Sequence, residues 1–208
     1  SISFGTAVVF ENAVTNYTSI AYDSNAQKVV IAYVDGGNSS KGTAIVGTVS
    51  GTSISFGTAV VFESDQSSYI SITYDSNAQK VVIAYKNHSS VDGEAIVGTV
   101  SGTSISFGTA VSFDTSNSIY ISATFDSNAN KVVIAYRDGG NSNKGTAIVG
   151  TVSDTSISFG TAVVFESGRS DYNFATFDSN LNKVVIAYSD QGNSNYGTAV
   201  VFQKASTD

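Results

Sequence analysis

The chain has 208 residues and a net charge of −7, with only ten Lys and Arg, so it lacks the cationic track that nucleic acid or an anionic membrane surface would require. It contains no Cys, which excludes disulfides and thiolate metal sites, and its one His, His88, cannot build a His metal cluster or a Ser-His-Asp triad. No apolar run exceeds about six residues, too short for membrane insertion as a helix. Ser1 opens no signal-peptide pattern, and the missing Met leads us to expect a chain trimmed or taken from something longer.

Taken from the N-terminus, the first β-type run is residues 2–10, which carries the motif FGTAV. The next is strand a, Tyr17 to Tyr22, closed by the turn Asp23-Ser24-Asn25-Ala26-Gln27. Strand b, Lys28 to Val34, leads into a Gly- and Ser-rich loop, Asp35 to Lys41. Strand c, Gly42 to Val49, and the turn Ser50-Gly51-Thr52 precede strand d, Ser53 to Phe62, where FGTAV returns. The set then repeats: Phe4, Phe56, Phe107 and Phe159 open the same motif at intervals of 52, 51 and 52 residues, and Asp23, Asp75, Asp126 and Asp178 keep step. A period of this size signals stacked supersecondary units, because one unit cannot bury its apolar faces alone.

Side chains alternate across a strand, so Val29, Ile31 and Tyr33 face one way and Val30, Ala32 and Val34 the other. Both faces are apolar, which predicts a layer on each side of the sheet. In strand d, Ile54, Phe56, Val60 and Phe62 are expected to make a bulky face and Ser55, Gly57, Ala59 and Val61 a lean one, so that successive sheets interlock. Repeated about an axis, that contact makes an all-β, four-bladed β-propeller with four antiparallel strands per blade. The chain opens on a d strand and ends on a, b and c, so the N-terminal strand is expected to complete the last blade and close the ring. The blades are then 17–62, 69–113, 120–165, and 172–203 plus 2–10.

The units FGTAVVFES and DSNANKVVIAYRDGGNSNKGTAIVGTVS resemble tandem propeller repeats of large extracellular and phage-encoded proteins, especially from marine sequences. The resemblance covers almost the whole chain and implies an extracellular or virion surface setting, but its motifs are structural. There is no Gly-His and Trp-Asp pair of the WD40 type, and with no Trp the kelch pattern, the sialidase Asp-box and the Trp platform of many propeller lectins are all missing.

In an up-and-down blade the a–b and c–d turns share one face of the ring. They read DSNAQK, DSNAQK, DSNANK, DSNLNK and SGTS, SGTS, SDTS, nearly uniform. The d–a and b–c connections share the other face and vary, and that face carries eleven acidic and five basic residues against five and four. Binding residues favour loops held by a rigid scaffold. On the variable face Glu11, Glu63, Asp114 and Glu166 each follow a d strand, and Asp35, Asp138 and Asp190 each follow a b strand. Such carboxylates can hold Ca²⁺ or accept hydrogen bonds from sugar hydroxyls, or simply be solvated charges at strand ends. Tyr17, Tyr69, Tyr120 and Tyr172 open the innermost strands and can ring the channel mouth with flat amphipathic surfaces, or pack between blades. The Asp-x-Asn-x-Asn spacing at Asp126, Asn128 and Asn130 lacks the Gly and Glu of a Ca²⁺ loop and reads as turn chemistry, with Lys28 and its equivalents close enough to pair with the Asp.

The leading expectation is a non-enzymatic recognition module for glycans or another cell-surface ligand, without an obligatory cofactor, its weak equivalent sites gaining avidity from repetition. A structural or display domain of a larger fibre or surface protein is the main alternative. A polysaccharide hydrolase or lyase using acids such as Glu63 and Asp92 is the third. Oligomeric state is not legible in the sequence.

Overall fold

A computed structural model describes residues 2–202. Unit 1 comprises β1 (Thr15–Asp23), β2 (Lys28–Asp35), β3 (Lys41–Ser50), β4 (Ser53–Phe56) and the start of β5 (Val60–Asp75). The far end of β5 begins unit 2, which continues through β6 (Lys80–Asn87), β7 (Gly93–Ser101), β8 (Ser104–Phe107) and β9 (Val111–Asp114). Unit 3 is β10 (Ser118–Asp126), β11 (Lys131–Asp138), β12 (Lys144–Ser153), β13 (Ser156–Phe159) and the start of β14 (Val163–Asp178). Unit 4 takes the rest of β14 with β15 (Lys183–Asp190) and β16 (Tyr196–Phe202). All pairing is antiparallel, and because β5 and β14 run from one unit into the next, the four units trace as two sheets of nine and seven strands. Among the described residues no helix is long and apolar enough to cross a membrane.

The doubly apolar strands are buried on both sides as their alternation requires. Val30, Ala32 and Val34 of unit 1 share a core with Val81, Ile83 and Tyr85 of unit 2. Val82 and Ala84 meet Val132, Ile134 and Tyr136, and Val133 and Ala135 meet Val184, Ile186 and Tyr188. The lean face of each sheet therefore lies on the bulky face of the next, in three successive contacts. A ladder of hydroxyls sets their register: Ile72 N donates to Ser19 Oγ at 3.2 Å, Ala123 N to Ser71 Oγ at 2.9 Å and Ala175 N to Ser122 Oγ at 2.9 Å. Each such bond contributes about 1 kcal/mol net, whereas full burial of one Val or Ile contributes about 1.5–3 kcal/mol. Packing holds the sheets together, and the ladder aligns them.

Strand d is broken, and the break explains the FGTA motif. β3 pairs with β4 through Gly47↔Phe56 and with β5 from Ala44↔Val60, leaving Gly57–Ala59 as a bulge in which Gly57 N donates to Val46 O at 2.9 Å. A Cβ on Gly57 would lie 1.9 Å from the Thr103 carbonyl oxygen in the next unit's c–d turn, and Gly5 and Gly108 meet Thr52 and Thr155 in the same way. The bulge also changes the phase of the strand. Phe56 packs with Ile31 and Tyr33 on the bulky face, but Phe62 lies over Gly42 and reaches across to Tyr85 and Phe107 of unit 2. The expectation of one bulky face holding both rings is corrected accordingly.

The expected closure by the N-terminal strand is likewise not formed. Residues 2–9 carry no strand, and β16 pairs only with β15 among the described residues. The first segment instead sits against unit 1 as a d strand sits against its successor, with Phe10 on the Tyr33 ring at 5.2 Å and on Phe56 at 5.9 Å. The end of β16 differs sterically from that of β3. A Cβ on Gly47 would come within 2.7 Å of Val29 and 3.0 Å of Ile54, and Gly98 and Gly150 are equally crowded by their d strands. The equivalent position of β16, opposite Val184, is Phe202, whose ring packs into the unit 3–unit 4 core. Phe202 thus puts a ring where Gly47 leaves room for Ile54 and Phe56 in unit 1. Among the described residues no sheet closes on itself, and no hydrogen bond, aromatic pair or core cluster joins unit 4 to unit 1. Residue 203 of the expected last blade lies outside the described residues.

Gly57→Ala should therefore destabilise the protein by about 1–3 kcal/mol or more, since a backbone carbonyl blocks the new methyl. Gly197→Ala, with nothing within 4 Å of its Cβ, should be nearly neutral. Denaturant melts of the two variants check the contrast, and equal midpoints would contradict it.

Candidate functional site

The b–c loops and d–a connections meet on one side of the stack. In three units the loop begins with a 3-10 turn, Gly36–Asn38, Gly139–Asn141 and Gln191–Asn193, capped by the preceding Asp. Asp35 Oδ1 accepts from Gly37 N at 2.9 Å and Asn38 N at 3.1 Å, while Asp138 and Asp190 accept from Asn141 N at 3.0 Å and Asn193 N at 3.1 Å. These three candidate acids thus shape the rim through their own backbone. Unit 2 has Asn87 at this position, and its side chain accepts from Ser89 N at 2.8 Å. The loops are tied to the d–a connections by Gly36 N to Val14 O at 2.8 Å and His88 N to Gln66 O at 2.9 Å. His88 Nε2 lies 2.8 Å from Ser68 Oγ, and burial followed by the nearby Lys86 charge lowers its pKa.

The acids after the d strands are also internally engaged. Glu11, Glu63 and Glu166 accept from the hydroxyls of Tyr33, Tyr85 and Tyr188 at 3.1, 3.0 and 2.9 Å. Their other oxygens accept from Ala13 N, Asp65 N and Gly168 N at 3.1, 2.9 and 2.7 Å. Burial, followed by the bond to Glu166, pushes the Tyr188 hydroxyl up to about 12, so it stays a donor. Asp114 is one methylene shorter and takes Ser116 and Ser118 hydroxyls instead. Burial outweighs those bonds and raises its pKa. Among the described residues no three His, Cys, Asp or Glu side chains converge as a metal-binding group.

The four tyrosines behave differently from the acids. Each sits at a β-bulge, with φ of 50°, 52°, 51° and 56° at Tyr17, Tyr69, Tyr120 and Tyr172, a left-handed conformation unfavourable for an aromatic residue. Bulges re-aim side chains, and here all four rings turn to the same side. They form a row with centroid separations of 5.0, 5.4 and 4.7 Å. The row lines a cavity of about 510 Å³ together with the inner-strand residues that follow each tyrosine, Asn173 and Phe174 among them. Tyr17 and Tyr172, at the two ends, are exposed.

Two features in or beside this groove escaped sequence reasoning, although departures from the repeat mark both. Asp171, in the SGRSDYN variant of the d–a connection, pairs with Arg137 and with Arg169 Nη2 at 3.0 Å, and Arg137 lies 5.0 Å above the Tyr120 ring. Asn173 stands where units 2 and 3 have Ile70 and Ile121; it is buried, and neither its Oδ1 nor its Nδ2 has a partner among the described residues. Unit 2 adds Glu94 in place of Thr43, accepting from Tyr85 at 2.9 Å beside Glu63, and burial raises its pKa. On the opposite side, Asp23, Asp75, Asp126 and Asp178 each accept from two amides of their own turn, as at Asn25 N, 3.0 Å, and Ala26 N, 2.9 Å. The expected Asp–Lys pairs are not made: Lys28 faces Asp23 in register, but the ion pairs among the described residues are those of Asp171.

No family model and no curated protein matches the chain. Among solved structures it is similar to the SapL1 lectin in complex with alpha methyl fucoside, with a TM-score of 0.53 and 14% identity over 91% of this chain. The chain spans 65% of that lectin's length. At this identity the likeness is one of fold, an all-β arrangement of antiparallel sheets.

Burial pushes the Asp171 carboxyl up, but bonds and charges from Arg169 and Arg137 outweigh it and hold it below the usual carboxylate range. A depressed native pKa adds stability above the unfolded value of about 3.9 that is lost as pH falls through the native one. Asp171→Asn should cost about 3 kcal/mol near neutrality by stranding Arg137. The gap to wild type in thermal melts should narrow below about pH 4, and a gap independent of pH would contradict the assignment.

Proposed function

We infer that this chain is a non-enzymatic glycan-recognition module whose four units are blades of a propeller-type stack, and that its ligand lies along the tyrosine groove. The observation that carries this reading is the row of four tyrosine rings, each held at a strained bulge, bordering a single cavity of about 510 Å³. Strain repeated four times at one place is a common mark of a functional surface. Aromatic faces take the C–H faces of a sugar, and phenol hydroxyls answer its hydroxyls. In the absence of Trp, tyrosine is the residue that offers both. Asn173 borders the groove with its amide buried and without a partner among the described residues, and the Arg137–Asp171 pair stiffens the wall at Tyr120. The fold shared with a lectin solved with a fucoside supports a sugar as the class of ligand.

The acids of the rim serve this reading indirectly, since their oxygens already hold the loops and the buried tyrosines. Any Ca²⁺ would have to compete with those bonds. A ligand crossing several equivalent rings gains from each, so affinity grows with glycan length rather than from one deep pocket.

A glycan array probed with and without Ca²⁺ tests the proposal. Binding to a defined sugar class, weakened about tenfold by Tyr120→Ala, about 1.4 kcal/mol, is the expected result. A blank array under both conditions would overturn it in favour of a display domain. Release of reducing ends from a polysaccharide would instead favour the hydrolase reading.

A further inference from the structure

The three internal contacts between units leave two surfaces unused. On unit 4 this is the lean face: Val185, Ala187, Ala199 and Val201 correspond to Val30, Ala32, Ala44 and Val46, which are all fully buried, yet Val201 is 61% exposed. On unit 1 it is the inner part of the bulky face, where Ile20 is 59% exposed although its counterpart Ile72 is only 6% exposed. Tyr22 is exposed beside it.

The departures of unit 4 from the repeat follow the same geography. Phe174 replaces the ladder hydroxyl of Ser19, Ser71 and Ser122, and Leu181 replaces Ala26, Ala78 and Ala129 in the a–b turn. Both are exposed, at 72% and 65%. In unit 1 the equivalent turn touches the next unit's tyrosine, Asn25 N lying 3.3 Å from Tyr74 Oη. A neighbour stacked on unit 4 would therefore bring its Tyr22 to Leu181.

A vacant slot completes the match. Gly42, Gly93 and Gly145 each lie under a phenyl ring, of Phe62, Phe113 and Phe165, at 2.5–2.6 Å from an ideal Cβ. Gly197 keeps the Gly, but nothing lies within 4 Å of it. Phe10, with the same ring-on-Tyr contact as those three phenylalanines, is the equivalent ring waiting on the bulky face of unit 1.

We propose that the lean face of unit 4 docks on the bulky face of unit 1 of a second copy of this chain, with Phe10 of that copy seated over Gly197. The contact is heterologous, so it propagates head to tail until the rotation closes a ring. It needs no strand exchange. It also places Tyr172 of one copy next to Tyr17 of the other and extends the aromatic row across the junction.

Sedimentation velocity of the full chain over a range of micromolar concentrations tests the proposal. Species of twice the 21.5 kDa monomer mass or larger are expected. Ile20→Asp and Val201→Asp each remove one surface and should each yield monomers with unchanged circular dichroism. An equimolar mixture of the two should regain dimers and nothing larger, because only one intact pair of surfaces remains. A wild-type chain that stays monomeric, or a mixture that stays monomeric while wild type assembles, would overturn it.

Discussion

Every sheet in this molecule is apolar on both sides, and so each must have another layer on each side. Val30, Ala32 and Val34 cannot be dry unless something covers them, and neither can Ile31 and Tyr33 on the reverse of the same strand. Identical units meet the requirement because one face is lean and the other bulky. The contact made once can be made again, in the same direction, by every unit. The hydroxyl ladder and the contact of the FGTA glycine with the next turn then align one sheet on the next.

The tyrosine groove is a product of the same stacking. The inner strands lie side by side because the sheets do, and a bulge at the same place in each turns one tyrosine per unit into a common groove. Around it, carboxylates that look free in the sequence are drawn into the scaffold, as short loops must satisfy their buried amides and the Tyr hydroxyls behind them. Glu11, Glu63 and Glu166 each serve one backbone N–H and one phenol. What repetition leaves uncommitted in the groove is the aromatic surface, and what breaks repetition, Asn173 within it and the Asp171–Arg137 pair beside Tyr120, is buried.

Units 1 and 4 each keep a face that no other described unit covers. In unit 1 the N-terminal segment shields the outer part of the bulky face through Phe10, and in unit 4 the ring of Phe202 packs into the unit 3–unit 4 core where the other units have a glycine. Neither device covers the whole face. The apolar side chains left over, Ile20 and Tyr22 at one end and Phe174, Leu181 and Val201 at the other, are those that the internal contacts would have buried.

Period, strand order and the two-sided burial of strand b were legible in the sequence because they depend on local alternation and on turns that Asp, Asn and Gly specify within a few residues. The tyrosines were legible as a repeated inner position, but their left-handed bulges were not, since nothing in the pattern Asn-Tyr-Thr marks a register shift. The broken d strand, which sends Phe56 and Phe62 to opposite faces, was hidden for the same reason. Closure was a matter for tertiary structure alone. It depends on whether a strand lies beside β16, where Phe202 stands in place of a glycine and its ring packs among side chains from another unit.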